Sequence, residues 1–268
     1  MKQTRLTNRS WTTAALILVG MGATVSPGQA APNPSLPDHA PTQRHDTART
    51  VQFSGYEWTV KSSAGPVGPG PNVFSNSSDN VWVDSQGRLH LRITHQNAQF
   101  QCAEVICTQN LGYGSYRFYC DTPADQVDQN AVLGLFTWKD EPSFAHRELD
   151  IEISRWGKAN NQNAQFVVQP YTAPDHIFRF ELPADLPQSV QTFDWQPKRV
   201  SFRSVQGHAA DPAKSSDIVE EKTFTHEIPE PGGENLRVNL WLFRGQPPAN
   251  ASGCEIVICR FEFTPTTR

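Results

Sequence analysis

Short runs of alternating apolar and polar residues recur along the chain, and almost no stretch carries the 3.6-residue period of a helix. Residues 81–83 and 89–93 flank Asp84-Ser85-Gln86-Gly87, which reads as a hairpin with Gly87 at the position needing positive φ. Further strands are predicted at 114–120, 131–138, 147–154, 164–169, 177–181, 193–195, 200–204, 236–243 and 254–263. Prolines gather between these runs (Pro66, Pro69 and Pro71; Pro229 and Pro231; Pro247 and Pro248), where a missing backbone donor does no harm. No internal repeat is visible. The pattern predicts an all-β sandwich or barrel.

One run breaks the usual surface pattern. In Glu148-Leu149-Asp150-Ile151-Glu152, alternation sends Leu149, Ile151 and Ile153 into a core and lines three carboxylates along the other face. Like charges so close repel, and no Lys or Arg is interleaved on that face. An acidic edge that discourages aggregation is the plain alternative. A chemistry that needs such a row is glycoside hydrolysis, in which one carboxylate attacks the anomeric carbon and another protonates the leaving oxygen. At roughly 3.3 Å per residue, the Cα atoms of Glu148 and Glu152 lie ~13 Å apart. Retaining hydrolysis needs carboxyl groups about 5–5.5 Å apart, which two Glu side chains can reach on a concave sheet.

Composition narrows the setting. Lys2, Arg5 and Arg9 precede a mostly apolar stretch from Trp11 to Val25, and Gly28-Gln29-Ala30 offers a small-x-small cleavage site. Residues 1–30 therefore read as a secretory signal peptide, too short and interrupted to span a bilayer. Residues 31–50, rich in Pro, Asp, Thr and His, read as a flexible linker, and 51–268 as one domain. A secreted or periplasmic protein is expected, with no membrane contact after cleavage. The net charge of −4 and the lack of basic clusters argue against nucleic acid.

Five cysteines in an exported chain suggest disulfides. The close pairs Cys102/Cys107 and Cys254/Cys259 could staple a hairpin or bulge, whereas a pair within one straight strand is too far apart to bond. Metal binding is the weaker reading: no His stands at ligand spacing and neither pair has the two-residue gap of zinc sites. The sequence also lacks Gly-x-Ser-x-Gly, His-Glu-x-x-His and a phosphate loop, which disfavours serine hydrolases, zinc hydrolases and nucleotide enzymes.

The acidic strand resembles the active-site Glu-x-Asp-x-Glu strand of glycoside hydrolase family 16, the family of bacterial lichenases and laminarinases. Gly112-Tyr113-Gly114-Ser115-Tyr116-Arg117 resembles an upstream strand of that family, Thr192-Phe193-Asp194-Trp195-Gln196-Pro197 its FDWQP stretch, and Asn239-Leu240-Trp241 its NLW strand. The pieces keep their order and cover roughly 55–265. The resemblance implies a concanavalin A-like jelly-roll β-sandwich of two curved antiparallel sheets. It implies Glu148 as nucleophile, Glu152 as general acid and then base, and Asp150 as helper. On physical grounds a negative Asp150 would raise the pKa of Glu152.

Sugar rings present flat CH faces, so Trp138, Trp156 and Trp241, near these motifs, are expected to bind substrate, while Trp82 and Trp195 are expected in the core. Period two puts Gln165, Val167 and Gln169 on one face; lichenases carry Gln, Asn and Tyr there, so Gln165 matches and the other two depart. Gln165 and Gln169 complete the expected substrate contacts. His146-Arg147 replaces a Trp-Asp pair, and alternation suggests that Arg147 anchors a loop or backbone. Many members hold a structural calcium through an Asp on the last strand; residues 254–263 contain Glu255 and Glu262 but no Asp, so a structural calcium is possible but unsupported, and no other cofactor or metal is expected.

The expected activity is retaining endo-hydrolysis of a β-linked polysaccharide, β-1,3- or β-1,3-1,4-glucan, by a monomer. The rivals are a carbohydrate-binding protein without turnover and a transglycosylase on the same fold.

Overall fold

The computed structural model describes residues 48–211, 214–250 and 253–267. The expected signal peptide, and the linker up to residue 47, lie outside the described residues. Arg49 and Thr50, assigned above to the linker, belong to the fold. Arg49 donates to the carbonyls of Asn76 (3.1 Å) and Val81 (2.8 Å), and Thr50 opens the first strand.

The described residues form sixteen strands. They are β1 (Thr50–Phe53), β2 (Tyr56–Val60), β3 (Val73–Phe74), β4 (Val81–Val83), β5 (Leu89–Gln96), β6 (Gln99–Cys107), β7 (Gly114–Cys120) and β8 (Ala131–Trp138). The rest are β9 (Leu149–Ile153), β10 (Ala164–Val168), β11 (Ile177–Phe180), β12 (Ser189–Gln196), β13 (Arg199–Gln206), β14 (Ile218–Phe224), β15 (Asn235–Leu242) and β16 (Cys254–Pro265). One sheet runs β1-β2-β6-β15-β8-β9-β10-β11. The other runs β4-β5-β16-β7-β12-β13-β14. Pairing is antiparallel except where the two-residue β3 lies parallel to β6. The β5–β6 hairpin joins the sheets, so the jelly roll is continuous at one edge. Among the described residues no helix is long and apolar enough to cross a membrane.

The core between the sheets is built by alternation. Leu149, Ile151 and Ile153 of β9 are buried, as are Phe166 and Val168 of β10 and Leu236, Val238 and Leu240 of β15. Each such side chain contributes about 1.5–3 kcal/mol by leaving water. Phe166 stacks on Phe202 of the opposing sheet with ring centroids 5.1 Å apart, and Tyr116 stacks on Phe193 at 4.4 Å. Trp195 is fully buried and donates its indole N–H to the Pro229 carbonyl at 3.0 Å. Trp82 departs from the expected core position: it is half-buried, stacked on His90 (4.5 Å), with Arg92 over its ring.

The cysteines correct the disulfide reading. Cys102 and Cys107 both lie on β6, Cys254 and Cys259 both on β16, and all five thiols are free. A strand rise of about 3.3 Å per residue separates each pair far beyond bonding distance. Four of the five are buried as small apolar side chains.

Candidate active site

The acidic strand is β9, an inner strand of the first sheet between β8 and β10, and its polar side faces a cleft of about 660 Å³. Register sets the neighbours. Glu152 lies beside Gln165 on one flank and Gly134 on the other; Asp150 lies between Val167 and Phe136. The Gln169 backbone N–H donates to the Glu148 carbonyl at 3.1 Å, which brings that residue level with Glu148. Beyond β8, Asn239 sits opposite Gly134, Arg237 opposite Phe136, and Glu104 of β6 opposite Asn239. A Cβ at Gly134 would come within 2.5 Å of Asn239 Oδ1, so any larger residue there would have to displace the Asn239 side chain. The side chain that Gly134 lacks leaves room next to Glu152.

A tight turn delivers Glu148 to the strand. Phe144, Ala145, His146 and Arg147 all have φ between 49° and 61°, four non-glycine residues in the left-handed region. Such residues cost roughly 1–2 kcal/mol each and persist only where surroundings hold them. Here His146 stacks flat on Trp138 with centroids 3.8 Å apart, and its Nδ1 donates to the Lys139 carbonyl at 2.8 Å. Thr137 Oγ1 donates to the Arg147 carbonyl at 2.7 Å. Arg147 itself anchors the turn, as alternation suggested: its guanidinium covers Phe144 and donates to the Glu230 carbonyl.

All three carboxyls are held above their ordinary range. Asp150 is 4% exposed, and burial followed by the charges of Glu148 and Glu152 pushes its pKa well up. Burial, then the Glu152 charge, pushes Glu148 up to about 8, opposed by a hydrogen bond from Asp150 and by Arg237. Burial raises Glu152, opposed by the Gln165 hydrogen bond and by Arg179. The cluster therefore retains at least one proton through neutral pH. Asp150, raised by burial and by both neighbouring charges, shares a hydrogen bond with Glu148. This corrects the expectation that a negative Asp150 tunes Glu152: Asp150 is partnered with Glu148, and Glu152 is raised by burial.

The expected binding residues separate into three groups. Trp138 and Trp241 line the cleft, and Trp138 donates its indole N–H to Asp140 at 2.9 Å. Gln165 and Gln169 touch the acids themselves: Gln165 donates to Glu152, and Gln169 donates to Asp150 at 3.2 Å. Trp156 is not in the cleft. It is 8% exposed, lines a separate pocket with Arg244 and Gln246, and packs under the Arg179 guanidinium at 4.7 Å. Arg179 Nε in turn donates to Gln165 Oε1 at 2.9 Å, so Trp156 supports a chain that ends on Glu152.

Sequence reasoning missed a charged network on the cleft floor. Glu104, 1% exposed, pairs with Lys61 (2.7 Å) and Arg237 (3.4 Å), and Arg237 pairs with Asp140 (3.1 Å). Arg237 Nε and Asn239 Oδ1 are buried without a hydrogen-bond partner and stand among the cleft residues. Glu255 and Glu262, the acids of the last strand, are engaged. Glu255 bonds His90 (2.8 Å) and Arg92 (2.5 Å), and Glu262 accepts from the Tyr119 hydroxyl (2.6 Å) and pairs with Arg260 (3.2 Å).

Comparison with known proteins places this geometry. No family model matches the chain. A β-glucanase of Paenibacillus polymyxa is 27% identical over 167 residues, 61% of this chain and 63% of that protein, so the match spans less than two thirds of the relative. The Bacillus licheniformis β-glucanase structure superposes with a TM-score of 0.58 at 21% identity, covering 78% of this chain and 92% of that one. A β-1,3-1,4-glucanase (lichenase) from a mouse hindgut metagenome gives 0.56 at 20% identity, covering 78% and 93%. An immunostimulatory antigen and pseudo β-1,3-glucanase of Mycobacterium tuberculosis gives 0.56 at 16% identity, covering 78% and 91%. The fold is the β-glucanase jelly roll.

Proposed function

We propose that this protein is an exported glycoside hydrolase that cleaves a β-linked glucan, β-1,3 or mixed β-1,3-1,4, with retention of configuration. The observation that carries the reading is the row Glu148, Asp150 and Glu152 on one strand at the floor of an aromatic- and amide-lined cleft. In its ionised form, with Asp150 donating to it, Glu148 attacks the anomeric carbon. Glu152, kept protonated by burial, gives its proton to the leaving oxygen. Once Glu148 is esterified its charge is gone, so Glu152 becomes more acidic and serves as base toward water. Trp138 and Trp241 offer flat faces to sugar rings. Export and removal of residues 1–30 accompany this reading, and an intact Met1 on protein recovered outside the cytoplasm would contradict them.

Incubating the mature protein with β-1,3-glucan, mixed-linkage glucan, agar and carrageenan, and reading new reducing ends, tests the activity and names the polymer. Val167 and Gln169, beside Asp150 and Glu148, depart from the lichenase pattern, which weighs against mixed-linkage glucan as the preferred polymer. Longer products without new reducing ends would identify a transglycosylase. Binding without turnover is the second reading, favoured by the pseudo-glucanase among the structural neighbours. Saturable binding with no product from any of the polymers would establish it.

The Asp150 hydrogen bond gives a pH prediction. Asp150→Ala removes a donor that stabilises ionised Glu148, so the Glu148 pKa rises further and the acidic limb of kcat/KM moves to higher pH. Asp150→Asn keeps a neutral donor toward Glu148 and an acceptor for Gln169, so that limb moves less and the rate falls by less than about tenfold. The alkaline limb, set by Glu152, stays in place in both. A profile in which Asp150→Asn shifts the alkaline limb downward would restore the charge-tuning role instead.

A further inference from the structure

On the face of the second sheet opposite the main core, three metal-ligating side chains from distant parts of the chain converge. Asp121 follows β7, His208 lies in the turn after β13, and Cys259 is on β16. One ligand atom from each lies within 4.8 Å of the other two. His208 Nε2 is 3.1 Å from Asp121 Oδ1, and Cys259 Sγ is 3.8 Å from the same nitrogen.

The local chain is shaped to hold them there. The register between β16 and β7 shifts between Ile258 and Arg260, a bulge that turns Cys259 out of the strand alternation. Cys259 packs with Tyr119, Val190 and Val205 on the outer face. Gly207, at φ 73°, turns the chain after β13, and its N–H donates to the Gln188 carbonyl at 2.8 Å. That turn sets the His208 ring edge-on to Tyr119. Gln188 Nε2 donates to Asp121 Oδ1 at 3.1 Å, the kind of outer partner that orients a ligating carboxylate.

We propose that Asp121, His208 and Cys259 form a binding site for a zinc-type divalent transition metal, with water in the fourth position. Thiolate, imidazole and carboxylate together are the borderline-soft donor set that such an ion prefers, whereas calcium needs six or more oxygens. Zinc bonds of about 2.0–2.3 Å at tetrahedral angles put neighbouring donors ~3.3–3.6 Å apart, close to the 3.1 and 3.8 Å at which His208 stands from Asp121 and Cys259. A thiolate and a carboxylate balance the double charge of the ion. All three side chains are half-buried, so an ion can reach them. The spacing of 87 and 51 residues between ligands explains why no sequence motif announces the site. The bound ion would tie the ends of β7 and β13 to β16, far from the cleft chemistry.

The test titrates cobalt(II) into the chelator-stripped full chain. One ion per chain with a thiolate-to-cobalt charge-transfer band is expected. Cys259→Ser should lose the band, and His208→Gln should weaken binding at least about tenfold. Cys259→Ser should leave polysaccharide hydrolysis unchanged, and the band does not depend on whether the cleft is catalytic. A wild-type protein that takes up cobalt without the band, or a band that survives Cys259→Ser, would mean only a hydrogen-bonded Cys-His-Asp cluster. Should the serine variant fail to fold, the wild-type spectrum and His208→Gln still decide.

Discussion

Glu148→Ala and Glu152→Ala are each expected to lose at least about 10⁴-fold in kcat/KM against a β-glucan while folding normally. Both side chains stand on the cleft face of β9, and the core contacts of that strand are made by Leu149, Ile151 and Ile153. Removing a raised, poorly hydrated carboxyl relieves repulsion in the cluster, so melting temperatures should hold or rise slightly. Azide separates the two roles. In Glu148→Ala it fills the space of the missing nucleophile and attacks from the same side, giving a glycosyl azide of inverted configuration. In Glu152→Ala, on a substrate whose leaving group needs no proton, the intermediate on Glu148 still forms. Azide then resolves it without a general base, giving the retained azide. Identical configuration from both rescued proteins would show the roles to be misassigned. Saturable binding with no azide product from either would move the protein to the non-catalytic reading.

Strands were legible where alternation or an unbroken apolar run marks burial: β7 and β8, the latter an apolar run buried on both faces, are found at the predicted residues, and β9 within two. What escaped had a different composition. The Gln99–Cys107 strand mixes Gln, Glu and two Cys, so it read as a cysteine staple, although its buried Cys102, Val105 and Cys107 belong to the core. The Ile218–Phe224 strand is the exposed edge of its sheet, carrying Glu220, Glu221 and Lys222, and so lacks an apolar face strong enough to show. The juxtaposition of the carboxylate row with Trp138 and the two glutamines was readable because they lie on or at the ends of β9 and its neighbouring strands, and Trp241 one strand further on lines the same cleft. Sequence also left open that Trp156 packs under Arg179 and lines a neighbouring pocket, because nearness to Glu152 along the chain does not fix the side on which a ring packs. The Lys61–Glu104–Arg237–Asp140 network could not be read at all. Each member is a single charge on a different segment, brought together only by the pairings of β2 with β6, β6 with β15 and β15 with β8.

That network carries the second large expectation. Glu104→Gln should destabilise the protein by about 3 kcal/mol, because one carboxylate at 1% exposure compensates two cations. Lys61, at 20% side-chain exposure, can recover part of its hydration, whereas Arg237, at 10%, cannot follow it into water. In a domain of this size the loss corresponds to a fall of roughly 6–12 °C in Tm. Replacing Lys61 by Met in the same protein removes one of the stranded charges and should return part of the stability, so the pair must be non-additive. The network also bears on chemistry. Arg237 opposes the rise in the Glu148 pKa, so Arg237→Met should push the acidic limb of kcat/KM to higher pH, as loss of the Asp150 donor does. Arg237→Met leaves Glu104 paired with Lys61, so it should cost less stability than Glu104→Gln while shifting the pH profile more. A buried ion cluster that served packing alone would give the reverse order: stability lost in both proteins and the acidic limb unmoved in either.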